Sequence, residues 1–101
     1  MTNYAAISET IAKKLYKAEA EVDTLENAVS ITNKKVDELE ARYISGENVG
    51  DELDKAYDEH EKTFNAYDKA RYIRDELKLA REAYIEVMRH IEYANYARCN
   101  W

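Results

Sequence analysis

Proline is absent from this 101-residue chain, and only two glycines and one cysteine occur. So few helix-breaking residues, in a chain that is 36% charged, predict long helices. A single cysteine, Cys99, excludes a disulfide within the chain and fits a reducing compartment. No run reaches the roughly 18 apolar residues of a membrane helix, and the first residues lack the pattern of a signal peptide. We therefore expect an all-α, cytoplasmic protein without a membrane segment.

The net charge of −6 is spread unevenly along the chain. Residues 45–68 contain 8 acids and 2 bases, whereas residues 69–101 contain 5 acids and 7 bases. The acids of the middle segment either form a solvated tip near a helix N-terminus or imitate a row of phosphates that occupies a basic groove of another protein. The residues predicted to form this acidic surface are Asp51, Glu52, Asp54, Asp58, Glu59 and Glu61.

The clearest pattern lies in the first half of the chain. Apolar residues and one threonine alternate in steps of four and three, which is the heptad spacing of a coiled-coil helix. This seam consists of Ile11, Leu15, Ala18, Val22, Leu25, Val29, Thr32, Val36, Leu39 and Tyr43. Both glycines follow, in the stretch SGENVG at 45–50. We predict one domain with helix 1 at about 3–44, a turn at 45–50 and helix 2 at about 51–98.

The second helix carries a less regular seam. Its steps are four and three until the middle, where steps of three follow one another on both sides of Ala70. Such a stammer predicts local overwinding of the helix or a shift of its contacts. The seam predicted for helix 2 is Leu53, Tyr57, His60, Phe64, Tyr67, Ala70, Ile73, Leu77, Ala80, Tyr84, Val87, Ile91 and Ala94.

Charge supports an antiparallel pairing of the two helices. If the chain folds back at the turn, residues i and j are level when i + j is about 95, and residues of opposite sign then meet repeatedly. The predicted pairs are Lys34 with Glu61, Lys35 with Glu59, Glu21 with Arg74, Glu26 with Lys69 and Lys13 with Glu82. In this register the last eight residues have no counterpart in helix 1, and they project roughly 12 Å beyond it.

A two-helix hairpin leaves much of its apolar surface half-covered. We expect it to self-associate, as an antiparallel or twofold dimer that forms a four-helix bundle. Tyrosines and a tryptophan at the end of the chain would pack within that dimer, dock a foreign protein or belong to a frayed tail. The residues predicted to form this partner or oligomer interface are Tyr72, Leu79, Tyr93, Tyr96 and Trp101.

Catalytic and metal-binding patterns are missing from the sequence. His60 and His90 are thirty residues apart on one predicted helix, or about 45 Å, and the pair of Glu-x-x-His motifs of a di-metal bundle does not occur. Cys99 has no base placed beside it by the sequence, and both glycines belong to the turn rather than to a phosphate loop. We expect no enzyme activity, no cofactor and no metal.

A basic stripe on helix 2 has two interpretations. Arg71, Arg74, Lys78 and Arg81 are spaced 3-4-3, so they share one face that could hold phosphates beside Tyr67. The register instead favours pairing of these bases with acids of helix 1, and the net negative charge argues against a nucleic-acid ligand.

Length and hairpin architecture resemble the small secreted helical hairpins that carry a Trp-x-Gly motif in the turn. This turn reads SGENVG, however, and the only tryptophan is Trp101, so we do not assign the chain to that class. Small acidic all-helical chains are also similar in style to accessory proteins of phages and mobile elements. The sequence predicts a non-enzymatic protein-interaction module, namely an inhibitor, adaptor or assembly factor, with a nucleic-acid-mimicking inhibitor as the alternative.

Overall fold

The computed structural model describes residues 3–99 of the chain and the side chains of residues 6–99. Two long helices make up almost all of this part, with α1 at Asn3–Ile44 and α2 at Gly50–Cys99. They lie against each other as a hairpin, and the resulting rod measures 82 × 18 × 14 Å. The predicted ends of helix 2, at 51 and 98, each differ from the observed ends by one residue.

A Schellman motif ends α1 and reverses the chain. Gly46 has φ +97°, a conformation that residues with a Cβ rarely adopt. Its N–H donates to the carbonyl of Tyr43 over 3.0 Å, and the N–H of Glu47 donates to the carbonyl of Arg42 over 3.0 Å. The Arg42 guanidinium also donates to the Glu47 carboxylate over 2.6 Å. Side chain and backbone therefore join the same two residues across the turn.

Gly46→Ala is expected to destabilise the hairpin by about 1–2 kcal/mol, because the new Cβ makes the positive φ costly. Gly50→Ala is the matched control. Its Cβ would meet only Tyr43 at 3.7 Å, an ordinary contact, at the start of α2. That change should be neutral or stabilise by up to about 1 kcal/mol. Thermal unfolding followed by circular dichroism measures both, and equal melting temperatures for the two variants would contradict this account of the turn.

Three contacts between the helices establish the register. Thr32 Oγ1 lies 2.7 Å from His60 Nδ1, Lys35 Nζ lies 3.6 Å from a Glu59 carboxylate oxygen, and the Tyr57 hydroxyl donates to Glu40 over 2.5 Å. The residue numbers of these pairs add up to 92, 94 and 97, which agrees with the predicted sum of about 95.

Of the predicted ion pairs, Lys35 with Glu59 forms between the helices. Two other predicted partners contact acids of their own helix instead. The Arg74 guanidinium lies 3.0 Å from Asp75, and Lys13 Nζ lies 3.2 Å from Glu9. Short-range pairs of this kind need less ordering of long side chains, and each exposed pair contributes only about 0–1 kcal/mol.

The seam of α1 lies where its heptad spacing places it, except at its last position, where the predicted Tyr43 is 56% exposed. Leu15, Ala18, Val22, Val36 and Leu39 are buried, together with Thr32. The Thr32 hydroxyl also lies 3.0 Å from the carbonyl of Val29. Together with the His60 ring it forms a hydrogen-bonded polar layer within an otherwise apolar contact.

The seam of α2 corrects the prediction of a stammer. α2 continues as one helix through Ala70, and its least exposed residues keep the steps of three and four without interruption. The predicted Tyr57, Phe64, Ile73 and Val87 are instead 44–52% exposed, and Ala80 and Ala94 are also exposed. An uninterrupted heptad on α1 needs a matching heptad on α2, even where that brings polar residues into the seam. The observed seam is Leu53, Ala56, His60, Thr63, Tyr67, Ala70, Arg74, Leu77, Tyr84, Met88 and Ile91, with exposed Arg81 at the remaining position.

Packing is uneven along the rod. A buried cluster beside the turn contains Val36, Leu39, Val49, Leu53 and Ala56. Beyond Ala70, none of the residues of α2 that the structure describes is buried. The half of the hairpin far from the turn therefore has a thin core, with half-buried or exposed apolar side chains on α2.

Candidate protein-interaction surfaces

Large apolar side chains lie along the side of α2 that faces away from α1. Tyr72, Leu79 and Tyr93 are 67%, 61% and 73% exposed, and they occur at multiples of seven residues, so they share one side of a helix in a coiled-coil pair. We call these three residues the back strip. Tyr96 follows three residues later and is 69% exposed. Trp101, the fifth residue predicted for this interface, lies outside the described residues.

An open groove of about 600 Å³ runs between the helices in the thinly packed half. Ala18, Ile73, Leu77 and Ala80 supply an apolar floor, and the ring of Tyr72 lies at the rim. The charged side chains around it are Lys14, Lys17, Glu21 and Glu76. Apolar floors with charged borders are typical of surfaces that bind another protein.

This groove was not predicted from the sequence, although a pattern for it exists. Small and branched apolar residues recur every seventh position of α2, immediately beside the seam: Ala66, Ile73, Ala80, Val87 and Ala94. Four of them, all except Ala66, belong to the seam predicted for helix 2, and the change of face that they require produces the predicted stammer. An apolar series of this kind next to a complete seam indicates a second contact face on the same helix.

All six residues of the predicted acidic surface are exposed. Asp51, Asp54, Asp58 and Glu61 follow one another in steps of three and four, so they form a row along one side of the first turns of α2. Two members of the acidic surface have basic partners: Asp58 lies 3.1 Å from Lys62 Nζ, and Glu59 lies 3.6 Å from Lys35 Nζ. These pairs lower the local negative charge, while Asp51 and Glu52 lie at the favourable N-terminal end of α2.

The basic stripe is distributed among several different contacts. The Arg71 guanidinium lies 5.5 Å from the ring centre of Tyr67, Arg74 contacts Asp75, and Lys78 and Arg81 border a groove together with Glu19 and Glu82. Arg74 also occupies a seam position and is half-buried. A phosphate would meet carboxylates beside three of these four bases, which weakens the interpretation of the stripe as a phosphate site.

Two side chains near the turn have shifted ionisation. The hydrogen bond from Tyr57 to the Glu40 carboxylate raises the pKa of the Tyr57 hydroxyl, with smaller contributions from burial and from nearby negative charge. The hydrogen bond to Glu47 raises the pKa of Arg42, aided by the charge of the same carboxylate. Both shifts result from hydrogen bonds near the turn.

Within residues 3–99, no group of three or more His, Cys, Asp and Glu side chains is arranged to hold a metal ion. His90 Nε2 contacts Glu86 over 3.5 Å on the surface of α2, and Cys99 is a free, exposed thiol. Neither helix, over its described length, has a stretch apolar and long enough to cross a membrane. Comparison with protein-family models, curated proteins and solved structures gave no significant match to the chain.

Proposed function

We propose that this chain is a small, acidic, non-enzymatic protein-interaction module that acts as an inhibitor, adaptor or assembly factor. The exposed back strip and the Tyr96 that follows it carry the proposal, because aromatic and large aliphatic side chains dominate the binding energy of protein interfaces. Exposure of several such side chains along one helix face is unusual for a protein that acts alone. The narrow rod offers open grooves rather than the enclosed pocket of most enzymes.

Self-association belongs to the same proposal. Two hairpins would form a homodimeric four-helix bundle, which covers the thinly packed half of each rod. Leu79 and Tyr93 of the back strip would remain accessible on the outside of that bundle and would bind a protein partner. The proposal needs no cofactor, no metal and no nucleic acid, and it assigns the protein to the cytoplasm, which the single exposed thiol of Cys99 favours.

A truncation tests the part played by the end of α2. A chain that stops after Ile91 lacks Tyr93, Tyr96 and Trp101, and it should lose most of its affinity for a partner captured from the native host, at least about 30-fold, because aromatic anchors are removed. Full-length Cys99→Ser is the control for the thiol that the truncation also removes. Undiminished binding by the truncated chain, measured with the purified partner, would exclude this end of α2 from the interface.

A second candidate function rests on the acidic row. Four exposed carboxylates in steps of three and four could occupy the basic groove of a DNA- or RNA-binding protein, as the phosphates of a nucleic acid do. Replacement of Asp54, Asp58 and Glu61 by Lys would then abolish inhibition of that protein while helicity is retained. Inhibition that survives the reversal would refute the mimicry.

A further inference from the structure

We propose that a second copy of this chain occupies the apolar groove between α1 and α2, with the two hairpins antiparallel and the twofold axis close to Glu76. The inference rests on the proposed self-association and specifies its face and direction. The groove, rather than the back strip, is then the dimer interface.

The amount of exposed surface indicates how large the occupant is. A globular monomer of 11.8 kDa exposes about 5,900 Å², whereas this rod exposes 8184 Å². The excess of about 2,300 Å² per chain lies near the upper end of the roughly 1,000–2,500 Å² that each subunit loses in an obligate dimer, where the total is about 2,000–5,000 Å². A short peptide in the groove would cover only a fraction of it, so a partner of similar length fits better.

The arrangement of apolar residues favours an antiparallel copy. If the twofold axis passes the middle of the groove, residues of the two α2 helices are level when their numbers add up to about 153. Ile73 then meets Ala80 of the second copy, and Val87 meets Ala66, so that each branched side chain packs against a small one. Alternating large and small residues allow two helices to approach closely and interdigitate.

The charges along the groove lead to the same direction. At the level of the axis on α1, Lys17 of one copy lies opposite Glu21 of the other, and Lys14 lies within reach of the same carboxylate. A parallel copy would instead place Lys14 over Ala80 and Glu21 over Ile73. It would therefore bury charged side chains against apolar ones, which is unfavourable.

Location of the groove provides a further argument. Its centre, between residues 76 and 77 of α2, is close to the middle of the 82 Å rod. An antiparallel copy that pivots there overlaps nearly the whole length of the first hairpin. The second copy also covers the half of the hairpin in which α2 has no buried residue after Ala70. The four-helix arrangement therefore buries apolar side chains in the half where the single hairpin buries fewest.

Matched substitutions on opposite sides of α2 test the face. Ile73 and Ile85 have similar exposure, 46% and 40%. Ile73 lines the proposed dimer groove, whereas Ile85 lines a different groove, on the opposite side of the hairpin. Ile73→Gln should weaken dimerisation by at least about 100-fold, since both copies lose a buried isoleucine, whereas Ile85→Gln should leave the dimer intact. Sedimentation equilibrium over a range of concentrations measures the effect, and equal behaviour of the two variants would refute the proposed face.

Cross-linking tests the direction and does not depend on the stability of Ile73→Gln. In a Cys99→Ser background, Glu76→Cys places a thiol of each copy beside the axis, within the Cα separation of about 4.4–6.8 Å that a disulfide needs. Glu76→Cys also removes the repulsion between the two Glu76 carboxylates, which the antiparallel arrangement brings together at the axis. Mild oxidation should link most chains in pairs, while Leu79→Cys, on the back of α2, should not.

The outcomes separate this inference from the proposed function. A dimeric wild type that cross-links through Leu79→Cys and not through Glu76→Cys would overturn the groove as the interface while self-association stands. A dimer that cross-links at neither position, with Ile73→Gln still monomeric, would overturn the antiparallel direction. A wild-type chain that remains folded and monomeric at every concentration would overturn both.

Discussion

Val22→Asp is expected to unfold the hairpin. Val22 lies in the middle of α1 and is 2% exposed, so the new carboxylate would enter a buried contact, and the nearby seam base, Arg74, is already paired with Asp75. The cost of burying such a group without a partner is about 3 kcal/mol or more. For a domain of this size, that corresponds to a fall in melting temperature of about 12–24 °C.

Ala20→Asp is the control for this substitution. Ala20 lies two residues away on the exposed side of α1, and the same side chain there should change the stability by less than about 1 kcal/mol. Circular dichroism during heating compares the two variants at the same concentration. If both variants melted together, the seam would not be the contact that holds the helices.

The largest effect on binding is expected from Leu79→Lys combined with Tyr93→Lys. These residues belong to the back strip, about 21 Å apart along α2, and each substitution removes an apolar anchor from the proposed partner interface. Loss of two anchors should weaken partner binding by more than about 100-fold. Tyr72 is left unchanged because it also lines the groove that we propose as the dimer interface.

Tyr16→Lys combined with Ile31→Lys is the matched control for this pair. Both residues are exposed to a similar degree, 76% and 68%, but they lie on α1. Titration calorimetry with the purified partner should give wild-type affinity for this control. Sedimentation equilibrium should show that both double variants keep the oligomeric state of the wild type. Equal loss in both would mean that positive charge anywhere on the rod is responsible, and the back strip would lose its assigned role.

The sequence predicted the architecture because its strongest patterns are local. The uninterrupted heptad predicts α1, and the two glycines in one stretch predict the turn. The acids that follow predict the start of α2. Register could also be predicted, since Lys35 and Glu59 meet as the charge pattern requires. Individual surface ion pairs could not, because several partners of similar energy compete for each long side chain.

The seam of α2 could not be read correctly from hydrophobicity alone. Phe64, Ile73 and Val87 are more apolar than the residues that lie in the seam beside them, and Tyr57 is larger than the buried Ala56 beside it. Arg74 is an unexpected seam residue. The competing principle is the fixed step of three and four that pairing with α1 imposes. Apolar residues of α2 that lie outside this spacing favour the proposed second interface. Only the three-dimensional arrangement distinguishes that face from the seam that contacts α1.

Sedimentation equilibrium of the purified, full-length chain is the most direct test of the claim that one hairpin is an incomplete unit. The account predicts a folded, helical species with twice the mass of the 11.8 kDa chain, and it predicts that helicity is lost when dilution separates the copies. A stable helical monomer at the lowest measurable concentration, with the same melting temperature at every dilution, would contradict it.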